Sequence, residues 1–450
     1  MSTLIATSKL TAIIGTGVTG LSVARFLKRQ GRPFAIFDTR ESPPNAAELK
    51  ALYPDACIQF GVWDEELLCS ADEIILSPGV AKTLPALERA VAAGVKLSGD
   101  VDVFSRYAQA PVVAITGSNA KSTVTTLVGN MAEVAGLKVA VGGNLGVPVL
   151  DLLDDKVELY VLELSSFQLE TTHKLGATVA CILNISADHL DRYSGMPAYH
   201  AAKQRIYFGA KNIVANYTDA LTQPPLSRDA ELSFFSGNAD FKRMGLLEHK
   251  GELWLADELT PLLPLSNLRI AGKHNAENVL AALAIGKAAR LPMIAMLEAV
   301  QNFKGLPHRC EWVADCHGVD YYNDSKGTNV GATLAALNGL ARNPHKLIVI
   351  LGGEGKGADF SPLRPVITSV ARAVILIGRD AHLLEQVLTA ATDIHHAENL
   401  TDAVARATQL ALAGDAVLLS PACASFDMFS GFEQRGDEFC RAVREVACAE

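Results

Sequence analysis

The sequence predicts an α/β protein of three domains: a Rossmann-like N-terminal domain, a central P-loop-type mononucleotide-binding domain and a Rossmann-like C-terminal domain. Three observations predict it. Short apolar runs alternate with longer amphipathic stretches, the signature of β-α-β units on a parallel sheet. The alternation begins three times, near Leu10, Val112 and Gly305. A chain of 450 residues also suits about three domains of roughly 150 residues each. The seams fall near Gly99 and Gly305, giving domains over 1–99, 100–304 and 305–450.

The first series reads strand, turn, helix, strand in "LTAIIG", "TGVTG", "LSVARFLKRQG" and "PFAIFD", with further strand-like runs at "EIILSPG" and "GVKLSGD". The second opens at Val112 in "VVAITGSNAKSTVTTL", a strand, a glycine-marked turn and a helix, and continues through "LKVAVGG", "ELYVLELSS", "ATVACILNIS" and "KNIVANY". A helix rich in alanine and leucine over Asn275–Leu291 precedes the second seam. The third series follows "GLPHR" with "VDYYNDS", "HKLIVILGG", "ARAVILIG" and "DAVLLSPA". No internal repeat or low-complexity tract interrupts them.

Composition excludes several function classes. A formal net charge of −9 and no Lys/Arg-rich run leave no electrostatic footprint for nucleic acid. Anionic ligands must therefore be held by local groups. No stretch approaches about 18 uninterrupted apolar residues, so no membrane insertion is expected. Lys9 followed by "LTAIIGTGVTGLSVA" imitates a leader, but three glycines break the apolar run and no cleavage pattern follows. Eight cysteines without a CxxC pair, in a chain of this length, read as reduced thiols in a cytoplasmic protein.

Two glycine-marked turns carry the chemistry. "GTGVTG", Gly15–Gly20, fits a dinucleotide fingerprint, with Asp38 ending the next strand where a ribose-binding acid sits. A close backbone approach to a pyrophosphate at a helix N-terminus serves a UDP-sugar as well as NAD. In the second turn, Lys121 and Ser122 stand where a P-loop places its phosphate-contacting lysine and its magnesium-ligating hydroxyl. The pattern departs from the usual loop, which has glycine where this chain has Ile115 and Ala120. A lysine at a helix start opposes the macrodipole, which favours a functional reading of Lys121. Glu163, ending "LYVLE", and His189, in "NISADHLDRY", lie at strand ends of the same sheet, where ligands bind in parallel α/β folds. The Glu163 carboxylate offers the hard oxygens that magnesium takes beside retained waters.

At this point ten spaced segments are recognisable: "TGSNAKSTVTTL", "GGNLG", "ELSSFQLE", "NISADHLDRY", "YHAAKQRIY", "GKHNAENV", "LPHR", "YNDSKGTN", "GGEGKGADF" and "SPACASFDMFSGFEQRG". In order and nearly end to end, they resemble the motifs of the Mur ligases of peptidoglycan synthesis. The resemblance implies an ATP- and magnesium-dependent amide ligase with UDP-N-acetylmuramoyl-L-alanine and D-glutamate as substrates, acting as a cytoplasmic monomer. It implies a route through an acyl phosphate and a tetrahedral intermediate.

By motif, the resemblance assigns the ATP phosphates to Gly117, Ser118, Asn119, Ala120, Lys121, Ser122 and Thr123. Asn144 and Asn278 would face the adenine, and Arg309 and Asp324 the triphosphate and ribose. Ser122, Glu163 and His189 would ligate magnesium, and Lys203 would carry a carbamate as a further oxygen ligand. Lys121, Glu163, His189 and Lys203 form the implied catalytic set. The UDP-sugar would meet Val18, Thr19, Asp38, Thr39, Arg40, Ser77 and Gly79; D-glutamate would meet Lys326, Thr328, Lys356, Ser425, Phe426 and Phe432. Ala120 stands where the family more commonly has glycine; its peptide N–H, the group such a loop uses, remains. Because the amino-acid residues lie beyond the second seam, the third domain is expected to close on the other two.

Overall fold

The computed structural model describes residues 10–225, 229–270, 272–341 and 345–447. Lys9, at the start of the leader-like run, and Cys448 lie outside them. The architecture is three α/β units in chain order, each on its own sheet. The first sheet joins β1 (Thr11–Ile14), β2 (Phe34–Asp38), β3 (Cys57–Phe60), β4 (Glu73–Leu76) and β5 (Lys96–Ser98), all parallel, in the order β3-β2-β1-β4-β5. Its order reverses between β1 and β4, so the carboxyl ends of these two strands open a crevice. "GTGVTG" follows β1 there and "SPG" follows β4.

The central sheet contains β6 (Val112–Thr116), β7 (Val139–Gly143), β8 (Leu159–Glu163), β9 (Val179–Ile182), β10 (Asn212–Asn216), β11 (Glu231–Phe235), β12 (Arg243–His249), β13 (Glu252–Asp257) and β14 (Thr260–Pro264). Its order is β14-β13-β12-β11-β10-β9-β6-β8-β7. The β6 strand is buried throughout and lies between β8 and β9, so the loop after it is flanked by the two strand ends that carry Glu163 and the His189 segment. The antiparallel extension β12–β14 is absent from the sequence expectation. Its strands are only partly buried, and a pattern that is not continuously apolar hides them.

The third sheet contains β15 (Glu311–Cys316), β16 (Val319–Asn323), β17 (Leu347–Gly352), β18 (Ala371–Ile377), β19 (Asp393–His396) and β20 (Ala416–Leu419), in the order β15-β16-β20-β17-β18-β19 with β15 antiparallel. The late strand β20 inserts between β16 and β17. That insertion places the loops after β16, β17 and β20 side by side, bearing Asp324 and Lys326, Lys356, and Ser425 respectively.

Two helix starts differ from expectation. The first helix is Val18–Arg29, so the second half of "GTGVTG" is already helical. A Cβ on Gly20 would lie 1.9 Å from the Gly15 carbonyl oxygen, which is why only glycine fits that close approach. The alanine-rich helix is Lys273–Ala288, opening after Gly272 at φ +95. Six cysteines are free thiols. Cys316 is disulfide-bonded, so the expectation of reduced thiols throughout fails there; spacing along the chain does not show which cysteines folding brings together.

One apolar cluster runs from the first sheet into the central one. Ile13, Phe26 and Ile36 join Val101 and Phe104 of the helix Asp100–Tyr107, then Ala114, Leu162 and Tyr199. The other face of the central sheet packs beneath Lys121–Val134 and Lys273–Ala288. The third unit has two clusters of its own, and neither contains a residue before Cys310 among those described.

Candidate functional site

The loop between β6 and the helix Lys121–Val134 is held from three sides. The Ser118 hydroxyl donates to the Ser186 carbonyl (2.9 Å) and lies 3.0 Å from the Tyr199 hydroxyl. The Asn119 peptide N–H donates to Asn184 Oδ1 (2.8 Å). Ala120 has φ +65, ψ 0, a left-handed conformation in a residue with a Cβ. From the helix start Lys121 turns back, donating to the carbonyls of Gly117 and Ser118, both at 2.9 Å. Removal from solvent lowers its pKa from the ordinary lysine value.

Lys203, in the helix Met196–Gln204, is 2% exposed. Its ammonium group donates to the Gly117 carbonyl (2.8 Å) and to Thr116 Oγ1 (3.4 Å), and no ion pair with a carboxylate is formed among the described residues. Burial, reinforced by the nearby Lys121 charge, lowers its pKa well below the ordinary value. Glu163 is buried at the end of β8; Oε1 accepts from Asn144 Nδ2 (2.7 Å), and Oε2 has no hydrogen-bond partner. His189 adopts φ +55 and packs edge-on to Phe167. Burial lowers its pKa below the ordinary histidine value, which favours the neutral imidazole.

Groups from the third unit complete the surroundings. Arg309 Nη2 donates to Ser122 Oγ at 2.6 Å. Asp324 accepts from the Cys310 peptide N–H (3.1 Å) and the Ser420 hydroxyl (2.7 Å); burial raises its pKa to about 7. Lys326 lies 3.6 Å from the centre of the Phe432 ring, and burial lowers its pKa to about 8. Ser118–Thr123, Asn144, Glu163, His189, Lys203, Asn278, Arg309, Asp324, Lys326 and Thr328 thus line one cavity of about 580 Å³.

Other residues singled out in the sequence stand apart from that cavity. Gly117 contributes its carbonyl to both lysines rather than a lining surface. Lys356 Nζ lies 4.0 Å from Asp188 Oδ1. Ser425 is buried, Phe426 is 72% exposed, and Phe432 meets only the Lys326 side of the cavity. The first-domain set forms a separate group around its crevice. Asp38 accepts from the Thr16 peptide N–H (2.9 Å) and hydroxyl (2.6 Å) and from Arg40 Nη2 (2.8 Å). Burial opposes its ionisation, but these bonds outweigh burial and hold the carboxyl far below its usual range. With both oxygens engaged, Asp38 fixes the turn and Arg40. Arg40, Thr39, Val18 and Gly79 are exposed beside it, Thr19 is half-buried, and the Ser77 hydroxyl donates to the Gly15 carbonyl.

Sequence reasoning missed several neighbours. Asp188, Tyr199 and Asn329 line the cavity and lay inside quoted segments, but nothing in their spacing separated them from the flanking residues. Arg435 is buried and donates to Ser325 Oγ (3.0 Å), the Ser325 carbonyl (2.7 Å) and the Cys423 carbonyl (3.1 Å). It ties the loop after β16 to the loop after β20.

Three α/β units, a mononucleotide-type loop and a polar cavity between the second and third define a multidomain P-loop-type protein. Its relatives narrow the class. The model of the Mur ligase MurD-like N-terminal domain matches residues 9–99, that of the Mur ligase middle domain 115–286, and that of the Mur ligase glutamate ligase domain 308–423. A protein of Pseudomonas aeruginosa named UDP-N-acetylmuramoylalanine--D-glutamate ligase is 54% identical over 446 residues, covering 99% of this chain and 100% of that one. Its namesake from Pseudomonas fluorescens is 55% identical with the same coverage. The chain belongs to the Mur ligase family. Among solved structures, the MurF ligase of Thermotoga maritima in complex with ADP superposes with a TM-score of 0.62 at 15% identity, over 97% of this chain and 95% of that one. At that identity the likeness concerns the fold alone.

Proposed function

We propose that the chain is an ATP-dependent amide ligase that joins D-glutamate to UDP-N-acetylmuramoyl-L-alanine, releasing ADP and phosphate. The observation that carries the reading is convergence: residues from eight of the ten recognisable segments line a single cavity, in a chain that matches relatives bearing that ligase name end to end. On this reading 1–99 holds the UDP-sugar, 100–304 the ATP, and 305–450 the amino acid. No helix among the described residues is long and apolar enough to cross a membrane. Nucleotide substrates support a cytoplasmic location, and one copy of the chain supplies every group invoked, so a monomer suffices.

The residues fit the ligands. Backbone N–H groups at the start of Lys121–Val134, with Lys121 and Arg309, suit a triphosphate. For magnesium, the buried unpartnered Glu163 Oε2, the Ser122 hydroxyl and a neutral His189 are suitable donors. No cluster of three or more His, Cys, Asp or Glu side chains stands ready among the described residues, so phosphate oxygens, waters and a carbamate on Lys203 would complete the ligand set. Lys203 suits carbamylation: a buried amine with a lowered pKa is nucleophilic toward carbon dioxide, and the product is an oxygen ligand. Bound magnesium would supply charge neutralisation at the transferring phosphoryl group.

The protein's own groups account for the rest. A carboxylate is a poor electrophile, so the terminal carboxylate of the UDP-linked substrate attacks the γ-phosphorus of ATP to give an acyl phosphate and ADP. Lys121 stabilises charge on the transferring phosphoryl oxygens. The neutral amine of D-glutamate then adds to the acyl carbon, and the tetrahedral intermediate expels phosphate and a proton. Lys326, Thr328, Lys356 and the Ser425 segment offer cations and donors for two carboxylates, with Phe426 and Phe432 beside them. Asn144, bonded to Glu163, and Asn278 flank the base side of the cavity.

Coupled phosphate release, with UDP-N-acetylmuramoyl-L-alanine and each amino acid in turn, tests the proposal. D-Glutamate should support turnover far above L-glutamate, D-alanine or meso-diaminopimelate. Equal turnover with L-glutamate would overturn it.

A further inference from the structure

The helix Val330–Leu340 of the third unit begins against the phosphate loop of the second, and its cap makes the contact. Asn329 is 8% exposed. Its Oδ1 accepts from the Ala332 peptide N–H (2.8 Å), the ordinary work of an N-cap. Its Nδ2 does something the helix does not require: it donates to Asn119 Oδ1 in the phosphate loop (3.0 Å) and to Asp188 Oδ2 in the loop after β9 (3.3 Å). Asn119 is itself fixed, through its peptide N–H to Asn184 Oδ1 (2.8 Å) and through Nδ2 to Ser186 Oγ (3.3 Å). Two residues on, a Cβ at Gly331 would lie 2.7 Å from Ser186 Oγ, so the first helical turn seats directly on that loop. The other oxygen of Asp188 faces Lys356, 4.0 Å away.

From this geometry we infer that Asn329 is a positioning residue that registers the amino-acid-bearing unit on the phosphate loop, with Asp188 as its counterpart. The inference rests on the ligase reading above for the identity of the amino acid, though not for the docking itself. The side chain divides cleanly by atom: the oxygen stabilises the helix start, and the amide nitrogen holds the two units in register. Changes at 329 that keep the cap but lose the amide nitrogen therefore have their own consequences. Serine at 329 can still cap the helix but is too short to donate across the seam. Aspartate can cap too, but would set a carboxylate against Asp188 and against the Asn119 oxygen.

The experiment uses the full chain with Asn329→Ser, Asn329→Asp, Asp188→Asn and the double change Asn329→Asp with Asp188→Asn. Each is measured for thermal stability, UDP-sugar affinity, kcat and KM for D-glutamate, and the distance between fluorophores placed on the second and third units. Asn329→Ser should unfold at the wild-type temperature and bind the UDP-sugar normally. Its kcat/KM for D-glutamate should fall roughly tenfold, the scale of the two hydrogen bonds removed, and the fluorophore distance should lengthen or broaden. Asn329→Asp should be worse. The double change should recover part of that loss: the amide introduced at 188 donates to the new carboxylate, and the Asn119 amide can turn over because the Ser186 hydroxyl donates as readily as it accepts. Wild-type kcat/KM and distance in Asn329→Ser, or a double variant no better than Asn329→Asp, would overturn the inference. If the wild-type protein does not turn over D-glutamate, the ligase reading fails, while the distance measurement still decides the role of Asn329.

Discussion

Replacing Ala120 with glycine is a sharp test of how the phosphate loop works. Ala120 sits at φ +65, ψ 0, where a Cβ approaches the following carbonyl oxygen. An L-residue there is disfavoured by roughly 1–2 kcal/mol relative to glycine. Glycine relieves that strain but frees the unfolded chain, returning about 0.4–1 kcal/mol. The lost methyl is half-buried against the core beneath Lys121–Val134, worth about half of the roughly 0.8 kcal/mol of a fully buried group. The balance lies between about −0.4 and +1.2 kcal/mol, so the central transition should shift by roughly −2 to +5 °C, at about 2–4 °C per kcal/mol. Catalysis should change by less than about twofold, since glycine keeps the same φ and the same N–H direction. Ala120→Val is the control: a β-branched side chain at positive φ should destabilise, not relax. Calorimetry and coupled phosphate release on both variants decide the matter. A tenfold loss of kcat in Ala120→Gly, or a fall in Tm well beyond 3 °C, would show that the methyl itself shapes the loop and that the strain account is wrong.

Three other outcomes follow from the geometry. Lys121→Ala should lower kcat by about 10²- to 10³-fold, the scale of losing one group aimed at developing charge, while UDP-sugar affinity, measured calorimetrically, stays unchanged. Activity should depend on dissolved carbon dioxide: exhaustive degassing should depress phosphate release and bicarbonate restore it, and Lys203→Arg should be inactive and indifferent to bicarbonate; constant activity in degassed buffer would remove the carbamate. In the first unit, burial pushes the Glu73 carboxyl up, but bonds from Arg106 (2.6 Å) and Ser98 (2.6 Å) outweigh it and hold the pKa at about 2. That contribution is complete above the unfolded value of 4.5 and is lost as pH falls toward 2, so Glu73→Gln should flatten the acid limb of unfolding in that window and nowhere else.

Much of this site was legible because a parallel sheet announces its ligand-bearing ends. The apolar run Val112–Thr116 followed by a glycine turn fixed where Lys121 had to be, and "LYVLE" placed Glu163 at a strand end without any knowledge of its neighbours. Asp38 was located correctly but its task was not legible: only the tertiary turn shows that Thr16 and Arg40 occupy both oxygens. Lys203 is the clearest limit. On a helix surface, its spacing reads as solvated, and its burial depends on how Met196–Gln204 leans over the phosphate loop. The strands β12–β14 escaped for a related reason, because partly exposed strands lack the continuous apolar run that marked β6.

The two seams differ in kind, and the difference bears on which unit moves. Between the first and second units the contact is largely apolar. Phe26 meets Tyr107 and Phe104 meets Tyr160 across a continuous cluster, and a Cβ on Gly99 would lie 2.2 Å from Thr171 Oγ1. Apolar burial has no hydrogen-bond partner to exchange with water or ligand, and Arg25 also pairs with Asp151 across this seam, so it is expected to move less than the second one. The contacts named here between the second and third units are polar: Arg309 to Ser122, Asn329 to Asn119 and Asp188, and Lys356 facing Asp188. Such contacts contribute only about 0.5–1.5 kcal/mol each, because water competes for them. They are also made by the groups proposed to meet the triphosphate. A nucleotide that takes Ser122 and Arg309 must break or bridge their 2.6 Å bond, and in bridging it binds both units at once. Differential contact of that kind is what lets a ligand shift a conformational equilibrium. On the proposed assignment of the triphosphate to these groups, nucleotide loading and docking of the third unit would be linked through the same atoms.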